Sequence, residues 1–198
     1  MIEGFFRMRV AQDRVGVLIG PKGRVKSRIE EIGGVKMTVD SETGETEVRL
    51  KDSCDPLLLL KVKNVVTAIS RGFSPEKAFE LFDDETLIDV IDLKSYMGKS
   101  ESGIRRVKAR LIGTGGKTWK IIEESTKARL SVYGHTVSII GDFESHRVAK
   151  QAIVMLLEGC QHSTVYRYLS REAQRRKRVE AQIGIWEPVK RFKTDGST

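Results

Sequence analysis

Two short glycine motifs are the residues of this chain whose types and spacing point most directly to chemistry. They are Ile19-Gly20-Pro21-Lys22-Gly23 and Ile112-Gly113-Thr114-Gly115-Gly116. Glycine reaches the backbone angles of a tight turn at little cost and lets the main chain approach a ligand closely. Where such a turn leads into a helix, the unpaired N–H groups of the helix start can bind an anion. Both motifs therefore predict a backbone clamp for phosphate groups.

Basic residues surround both motifs. Residues 14–36 contain six basic and two acidic residues, and residues 103–129 contain eight basic and two acidic residues. Lys and Arg side chains add charge-assisted contacts to phosphate oxygens. Besides the motif residues, the predicted contacts are Arg24 and Arg28 in the first segment and Arg105, Arg106, Lys108, Arg110, Lys117, Lys120 and Arg129 in the second.

The two motifs belong to a longer internal repeat. A shift of 93 positions places Ile29-Glu30-Glu31 on Ile122-Glu123-Glu124 and Lys36-Met37-Thr38-Val39 on Arg129-Leu130-Ser131-Val132. A spacing this long, present in two copies, indicates a tandem domain duplication and not a solenoid of short repeats.

Hydrophobic periodicity predicts the same order of elements in each half, with the glycine turn between two helices. A strand and a short helix precede the turn, and a helix, a β-hairpin and a long helix follow it. Asp13 and Ser102 are the expected caps of the short helices. The predicted strands and long helices lie at 5–10, 37–40, 45–50 and 55–70 in the first half, and at 87–93, 129–132, 136–140 and 143–158 in the second.

The charge of the remaining segments separates the predicted domains. Residues 74–101 contain eight acidic and three basic residues, whereas residues 163–198 contain nine basic and four acidic residues. We therefore expect an α+β protein of two domains. The predicted limits are 1–75 for the first domain, 76–86 for an acidic connector, 87–160 for the second domain and 161–198 for a basic C-terminal helix and tail.

Motif and element order together resemble the eukaryotic-type KH domain in both halves. The resemblance covers roughly residues 5–70 and 87–159 and implies two tandem type I KH domains, each β-α-α-β-β-α. It implies that each turn holds about four nucleotides of single-stranded RNA, whose bases meet an apolar groove. The residues that it places beside that groove or in the core are Ile19, Ile29 and Met37, and Ile112, Ile122 and Leu130.

One helix position departs from the KH pattern in both units. The third residue after the second motif glycine is usually aliphatic in the family, whereas this chain has Lys26 in the first unit and Trp119 in the second. Trp119 either fills core space or stacks on a base, a contact that contributes about 1 to 3 kcal/mol. Lys26 makes the first groove more polar. The second unit is the expected principal binder, and RNA binding by the first unit stays open.

Longer stretches resemble the archaeal branch of the partner-of-Nob family of ribosome assembly factors. They are residues 111–123 and 136–143, the connector stretch 71–78 and the segment 163–166. The resemblance implies a cytoplasmic, non-enzymatic protein that binds single-stranded rRNA near the 3′ end of the small-subunit (16S-type) rRNA. It implies work in pre-rRNA processing and small-subunit assembly, within a pre-ribosomal particle and beside a Nob-type endonuclease. The alternative is a protein-interaction scaffold for a nuclease or translation factor, with minor direct RNA contact.

A basic helix is predicted over residues 166–180 of the C-terminal segment. Val165, Leu169 and Ala173 recur at helical spacing and are expected to face a domain. Phosphate contacts there would position RNA without reading its sequence, or the basic run is simply solvated. The residues of that run are Arg175, Arg176, Lys177 and Arg178. Trp186 and Pro188, beyond it, are expected to anchor the chain end on the protein body or on a partner.

Two sequences look like the end of a nucleotide-binding Walker loop. They are Gly116-Lys117-Thr118 and Gly98-Lys99-Ser100. The Walker motif requires another glycine five residues before its GK glycine, but this chain has Leu111 and Leu93 there. We therefore exclude nucleotide hydrolysis at either place.

Candidate catalytic and metal-binding patterns are weak. The three histidines, His135, His146 and His162, lack metal-ligand spacing and are expected at surfaces or helix ends. The acidic residues of the connector region either form a solvated connector or supply a two-metal nuclease site. These residues are Asp83, Asp84, Glu85, Asp89 and Asp92. We predict no catalytic residue, no metal and no cofactor.

The composition favours a globular protein and argues against membrane-spanning, disulfide-rich and zinc-binding classes of protein. The chain has 198 residues, of which 39% are hydrophobic and 31% charged, and its formal net charge is +8 at pH 7. These values are typical of a globular protein with a polyanionic partner. No apolar run is long enough to cross a bilayer, so no membrane partner is predicted. Cys54 and Cys160 belong to no CxxC pair, so neither a disulfide framework nor a zinc site is predicted.

Overall fold

The computed structural model describes residues 4–51, 55–98 and 100–185. It contains two α+β units with three-stranded antiparallel sheets, as the sequence predicted. Cys54, Lys99 and Trp186 lie outside the described residues, as does the basic tail beyond them. Of the helices in the described part of the chain, none combines the length and apolar character that crossing a bilayer requires.

The first unit follows the predicted order of elements. Its sheet has the strand order β1-β3-β2, with Met37 and Phe6 both paired with Val48 of the central strand. Ile29 and Met37 are buried between sheet and helices, and Asp55 caps the long helix by accepting from the Leu57 N–H at 2.9 Å. The elements are β1 (Phe5–Arg9), α1 (Gln12–Ile19), a 3₁₀ turn (Pro21–Gly23), α2 (Arg24–Gly33), β2 (Val35–Val39), β3 (Glu45–Leu50) and α3 (Pro56–Ser70).

The connector begins with α4 (Pro75–Phe79) and a 3₁₀ turn at Glu80–Phe82. Its apolar residues Ala78 and Leu81 are buried in the core of the first unit. Lys61 of α3 donates to the Phe82 carbonyl at 2.7 Å and pairs with Asp84. The connector is therefore packed against the first unit through its apolar residues, and its acidic side is solvated. The predicted limits of the domains remain a prediction.

The second unit repeats the topology of the first and adds a helix. Its sheet has the strand order β4-β6-β5, and its core lies between this sheet and the helices. The added helix, α9, packs on α7 and α8 and buries Val165 and Leu169. The elements are β4 (Thr86–Asp92), α5 (Lys94–Met97), α6 (Glu101–Ile112), a 3₁₀ turn (Thr114–Gly116), α7 (Lys117–Thr126), β5 (Arg129–Tyr133), β6 (Thr136–Asp142), α8 (Phe143–Leu157) and α9 (His162–Ile185).

The caps of the two short helices differ from the prediction. The residue at the N-cap of α1 is Ala11, and that of α6 is Ser100, whose hydroxyl accepts from the Gly103 N–H at 3.2 Å. Asp13 and Ser102 lie inside the first helical turns. The Asp13 carboxylate instead accepts a hydrogen bond from Tyr133 of the other unit, a long-range contact that local capping rules cannot anticipate.

The two units are joined through the sheet of the second. Ile139 and Ile140 are adjacent in β6, yet Ile139 belongs to the second core and Ile140 to the first. Alternate residues of a strand point to opposite faces, so both faces of β6 are covered. Ser131 donates to the Arg71 carbonyl at 2.9 Å. Tyr133 of the second unit donates a hydrogen bond to Asp13 of the first, and this hydrogen bond raises the pKa of the Tyr133 hydroxyl.

Candidate nucleic-acid interface

The two glycine turns adopt the same backbone conformation. Three positions of each turn have positive φ, and the values at paired positions agree within 4°. They are 71°, 54° and 75° at Gly20, Lys22 and Gly23, and 73°, 58° and 77° at Gly113, Gly115 and Gly116. The repeat seen in the sequence is thus a repeat of local geometry.

The first glycine of each motif is required sterically. At Gly20, φ and ψ are 71° and 171°, and at Gly113 they are 73° and 175°, a region that essentially only glycine occupies. A Cβ atom at Gly20 would lie 2.4 Å from Cγ2 of Val25, and one at Gly113 would lie 2.3 Å from Oγ1 of Thr118. The turn is therefore held tightly against the helix that follows it.

Two main-chain amides of the second turn are hydrogen-bonded within the turn. The Gly116 N–H donates to the Gly113 carbonyl at 3.2 Å, and the Lys117 N–H donates to the Thr114 carbonyl. The amides of Thr114 and Gly115 come before these bonds, at positions where a helix start leaves its N–H groups unpaired. The first turn has Pro21 in place of Thr114 and so presents one amide fewer. This difference favours the second unit as the stronger phosphate binder.

Two groups of basic side chains lie near the second turn. Arg106 and Lys117 are exposed and line one cleft. Arg105 is exposed and Lys108 is partly buried, and both share a helical face of α6 with Ile112, which is 41% exposed. Lys120 is exposed as well and lies 3.8 Å from Glu124, a surface pairing too weak to keep it from a phosphate.

The first turn carries fewer available cations. Lys22, Arg24 and Arg28 are exposed, and Arg28 lies 3.1 Å from Glu31 in a surface pairing as weak as that of Lys120. Lys22 has positive φ, which costs a residue with a side chain about 1 kcal/mol. Ile19 is partly buried and packs against the first core, and Lys26 is partly buried.

A cleft of about 410 Å³ opens beside the second turn. Sequence reasoning missed His162 and Tyr166, which belong to α9 and line it. The Tyr166 hydroxyl lies 2.8 Å from the Thr118 hydroxyl, and the His162 ring hydrogen-bonds the Arg110 carbonyl at 3.0 Å. The available signal was the spacing of both residues, one helical turn apart, at the start of the predicted C-terminal segment 161–198. The lining residues are Arg106, Ala109, Arg110, Gly113, Thr114, Lys117, Thr118, His162 and Tyr166.

The apolar residues assigned to the groove divide between core and surface. Ile29, Met37, Ile122 and Leu130 are buried in the two cores. Trp119 is partly buried and packs against the second core. This packing agrees with the interpretation that Trp119 fills core space. Stacking of Trp119 on a base remains a prediction.

Two predicted contacts are engaged in bonds inside the protein. Arg110 donates to the Cys160 carbonyl at 2.6 Å, which joins α6 to the segment between α8 and α9. Arg129, at the start of β5, lies 3.4 Å from Glu80 of the connector. Both side chains contribute to tertiary structure, and Arg129 is not in the cleft beside the turn.

The basic run of α9 lies away from the second turn. Arg176 donates to the Thr126 carbonyl at 3.2 Å and to the Ser145 hydroxyl at 2.9 Å. Thr126 ends α7, a helix of ten residues, so about 15 Å separates it from the turn at the other end. The structure thus places Arg176 in a structural contact. Its neighbours Arg175, Lys177 and Arg178 are exposed on α9.

Asp142 connects this arginine to the start of α8. Its carboxylate caps α8 by accepting from the Ser145 N–H at 2.8 Å, and it lies 3.4 Å from Arg176. Partial burial alone raises the pKa of Asp142, but the hydrogen bonds from Ser145 and the Arg176 charge outweigh burial and lower the pKa. A carboxyl whose pKa falls on folding stabilises the protein above its unfolded pKa and loses that contribution as the pH drops.

We expect Asp142→Ala to lower the free energy of unfolding by about 1 to 2 kcal/mol at neutral pH, the usual cost of losing an N-cap. Asp142→Asn keeps a capping oxygen but removes the charge facing Arg176, so its effect should be smaller. Urea denaturation at about pH 7 and about pH 3 measures both variants against the wild type. The difference in stability between Asn and Asp should be smaller at about pH 3 than at about pH 7, because the folded-state pKa of Asp142 is lowered and its charge is lost only as the pH falls through that pKa. An equal difference at both pH values would contradict the charge interpretation.

Four of the five acidic residues of the connector region are engaged with cations or with backbone. Asp89 lies 2.7 Å from Lys150 and 3.6 Å from His146. Burial raises the pKa of Asp89, but the hydrogen bond and charge of Lys150 outweigh it and lower the pKa. Asp83 accepts from the Glu85 N–H at 3.0 Å in the turn before β4. Among the described residues, no group of three or more His, Cys, Asp or Glu side chains forms a metal site.

Comparison with known protein families matches both units. Residues 87–174 match the model described as eukaryotic type KH-domain (KH-domain type I), and residues 5–54 match the KH domain model. A KH domain-containing protein of Methanocaldococcus jannaschii is 44% identical over 180 residues, which cover 91% of this chain and 78% of that protein. The chain belongs to the KH-domain family of Pno1 and Dim2.

Two further relatives carry these names. The pre-rRNA-processing protein Pno1 of Schizosaccharomyces pombe is 31% identical over 145 residues, 71% of this chain and 60% of that protein. The chain thus matches less than two thirds of the length of that relative. A structure of a complex of a/eIF2alpha, aDim2p and rRNA from Pyrococcus horikoshii contains a chain with TM-score 0.82 and 40% identity, covering 88% of this chain and 96% of that chain. The predicted pair of KH units is confirmed.

Proposed function

We propose that this protein binds single-stranded rRNA near the 3′ end of the 16S-type rRNA and assists pre-rRNA processing and small-subunit assembly. The observation that carries the proposal is the second glycine turn, where the main-chain amides of a helix start and exposed cations accompany Ile112, which is 41% exposed. This combination suits a sugar-phosphate backbone on one side and unstacked bases on the other. The names of the S. pombe relative and of the P. horikoshii complex support rRNA as the target.

The chain binds and positions RNA, while cleavage belongs to a partner. Contacts from main-chain amides and from Lys and Arg to phosphates fix the register of a strand and do not cut it. The proposed binding residues are those of the two turns with their neighbouring cations. We place this activity in the cytoplasm, on a pre-ribosomal particle.

Crosslinking to RNA tests this function. We expect ultraviolet crosslinks between the protein and total cellular RNA to fall in single-stranded segments near the 3′ end of small-subunit rRNA. On the protein side, the crosslinked peptide should contain residues 113–117. Crosslinks confined to residues 171–178 would contradict the proposal, because they would indicate a polycation that binds any phosphate backbone.

A protein partner is the second candidate function, favoured by the presence of a/eIF2alpha in the P. horikoshii complex. A translation factor or a Nob-type endonuclease would then be held beside the bound RNA. Pull-down after nuclease treatment separates the two functions. A scaffold retains its protein partner and shows little affinity for naked RNA, whereas the proposed RNA-binding function requires measurable affinity for the RNA alone.

A further inference from the structure

We propose that the cleft between α6 and α9 binds an additional phosphodiester of the same RNA strand, beyond the nucleotides held at the second turn. The inference rests on the proposed RNA-binding function and extends its footprint. The cleft begins at Gly113 and Thr114 of the turn and continues to His162 and Tyr166 of the C-terminal helix. A strand that crosses the turn therefore reaches the cleft without a break.

The chemistry of the lining suits an anion. Arg106 and Lys117 are exposed at its rim, and Arg110 is partly buried within it. The described residues that line the cleft include no acidic side chain. Nε of Arg110 is buried and has no hydrogen-bond partner among the described residues, so the guanidinium has unused donor capacity.

The walls of the cleft are fixed before any ligand arrives. Arg110 is held by the Cys160 carbonyl, and His162 is held by the Arg110 carbonyl. Tyr166 meets the hydroxyl of Thr118, which is 2% exposed. Preorganised donors bind at a lower entropy cost than side chains that must be ordered on binding.

The cleft lies on a different side of α6 from the apolar groove. Arg106 and Arg110 are four residues apart and share one helical face, whereas Arg105, Lys108 and Ile112 recur at the spacing of another face. RNA bases at the Ile112 side and a phosphate at the Arg110 side would thus be bound on the two sides of the turn. This places the extra phosphate outside the nucleotides that the groove contacts.

The first unit carries different residues at the same places. A shift of 93 positions puts Asp13 at the place of Arg106 and Val17 at the place of Arg110. Asp13 carries the opposite charge and is engaged by Tyr133. The cationic cleft is therefore a property of the second unit, and it adds to the reasons for unequal RNA binding by the two units.

Binding of short and long RNA measures the contribution of the cleft. The probes are labelled single-stranded oligonucleotides of about four nucleotides, and the same oligonucleotide extended by about three at one end or the other. For the wild type, extension of the RNA at one end should raise the affinity about tenfold. It should also steepen the slope of log affinity against log salt concentration by about 0.7 for each added phosphate contact. In the Arg106→Gln variant, the affinity for the extended RNA divided by the affinity for the short RNA should fall toward one.

Arg171→Gln is the matched control, because it removes the same charge from an exposed position of α9 outside the cleft. It should keep the wild-type ratio. Circular dichroism checks the fold of both variants. If Arg106→Gln keeps the ratio, or extension gains nothing in the wild type, the cleft proposal is overturned while RNA binding stands. If the wild type binds neither oligonucleotide, the proposed function fails and the cleft proposal with it.

Discussion

Replacing Thr114 and Gly115 together with aspartate is expected to weaken RNA binding by about 100-fold, which is about 1.4 kcal/mol for each introduced charge. Both substitutions put a carboxylate where the structure offers amides to phosphate. The fold should tolerate them. Thr114 is exposed, a Cβ at Gly115 meets nothing within 4 Å, and Lys22 adopts the same left-handed conformation at the equivalent place of the first turn.

The control for this variant is Thr114→Asn with Gly115→Asn, which has nearly the same shape without the charge. Asn also adopts positive φ more readily than most residues. Fluorescence anisotropy with single-stranded fragments of the rRNA 3′ end measures both double variants. We expect the asparagine variant to bind within about threefold of the wild type, a difference of less than 1 kcal/mol. Equal affinity of the aspartate variant and the wild type would show that the second turn does not hold RNA.

The second large effect is expected from Gly113→Ala, which should lower the free energy of unfolding by about 3 kcal/mol. Backbone strain in this region of φ and ψ costs about 1 to 3 kcal/mol, and overpacking against a buried neighbour costs a similar amount. The added Cβ would lie 2.3 Å from Oγ1 and 2.8 Å from Cβ of Thr118. Because Thr118 is hydrogen-bonded to Tyr166, it cannot move aside without breaking that contact. RNA affinity should fall as the turn is displaced.

Gly116→Ala provides the comparison for this prediction. Gly116 has φ 77° and ψ 10°, and a Cβ there meets nothing within 4 Å. Its expected cost is only the strain of one left-handed residue, about 1 kcal/mol. Urea denaturation followed by far-ultraviolet circular dichroism measures both variants. A Gly113→Ala variant no less stable than Gly116→Ala would contradict the close approach of turn and helix.

Local patterns were sufficient to predict the elements that build the interface. The paired glycines placed both turns, because the angles at Gly20 and Gly113 are set by steric limits that act within a few residues. The long helices were predicted to begin at 55 and 143, and in the structure they begin at Pro56 and Phe143, after the N-caps Asp55 and Asp142. An N-cap bonds to an amide only two or three positions away, so helix starts depend on local sequence. Periodicity of apolar residues predicted the helices and strands for the same reason.

Contacts between distant residues decided the rest. Tyr133 engages Asp13 across the two units, and this long-range hydrogen bond takes a residue that local rules assigned as a cap. Ile140 is packed into the first core although it lies in the second unit. Alternation along β6 indicates which side chains share a face, but the partner that covers each face depends on how the two units meet.

The roles of the arginines were decided in the same way. Arg106, Arg110 and Arg176 look alike in the sequence, as cations in basic segments. Tertiary packing puts Arg106 at the rim of the cleft, ties Arg110 to Cys160 and brings Arg176 to the far end of α7. Turns, helices and strands are determined by short-range sterics and hydrogen bonds, which the sequence encodes directly. A side chain's partner across the protein follows from the sum of all packing interactions, so only the tertiary structure assigns it.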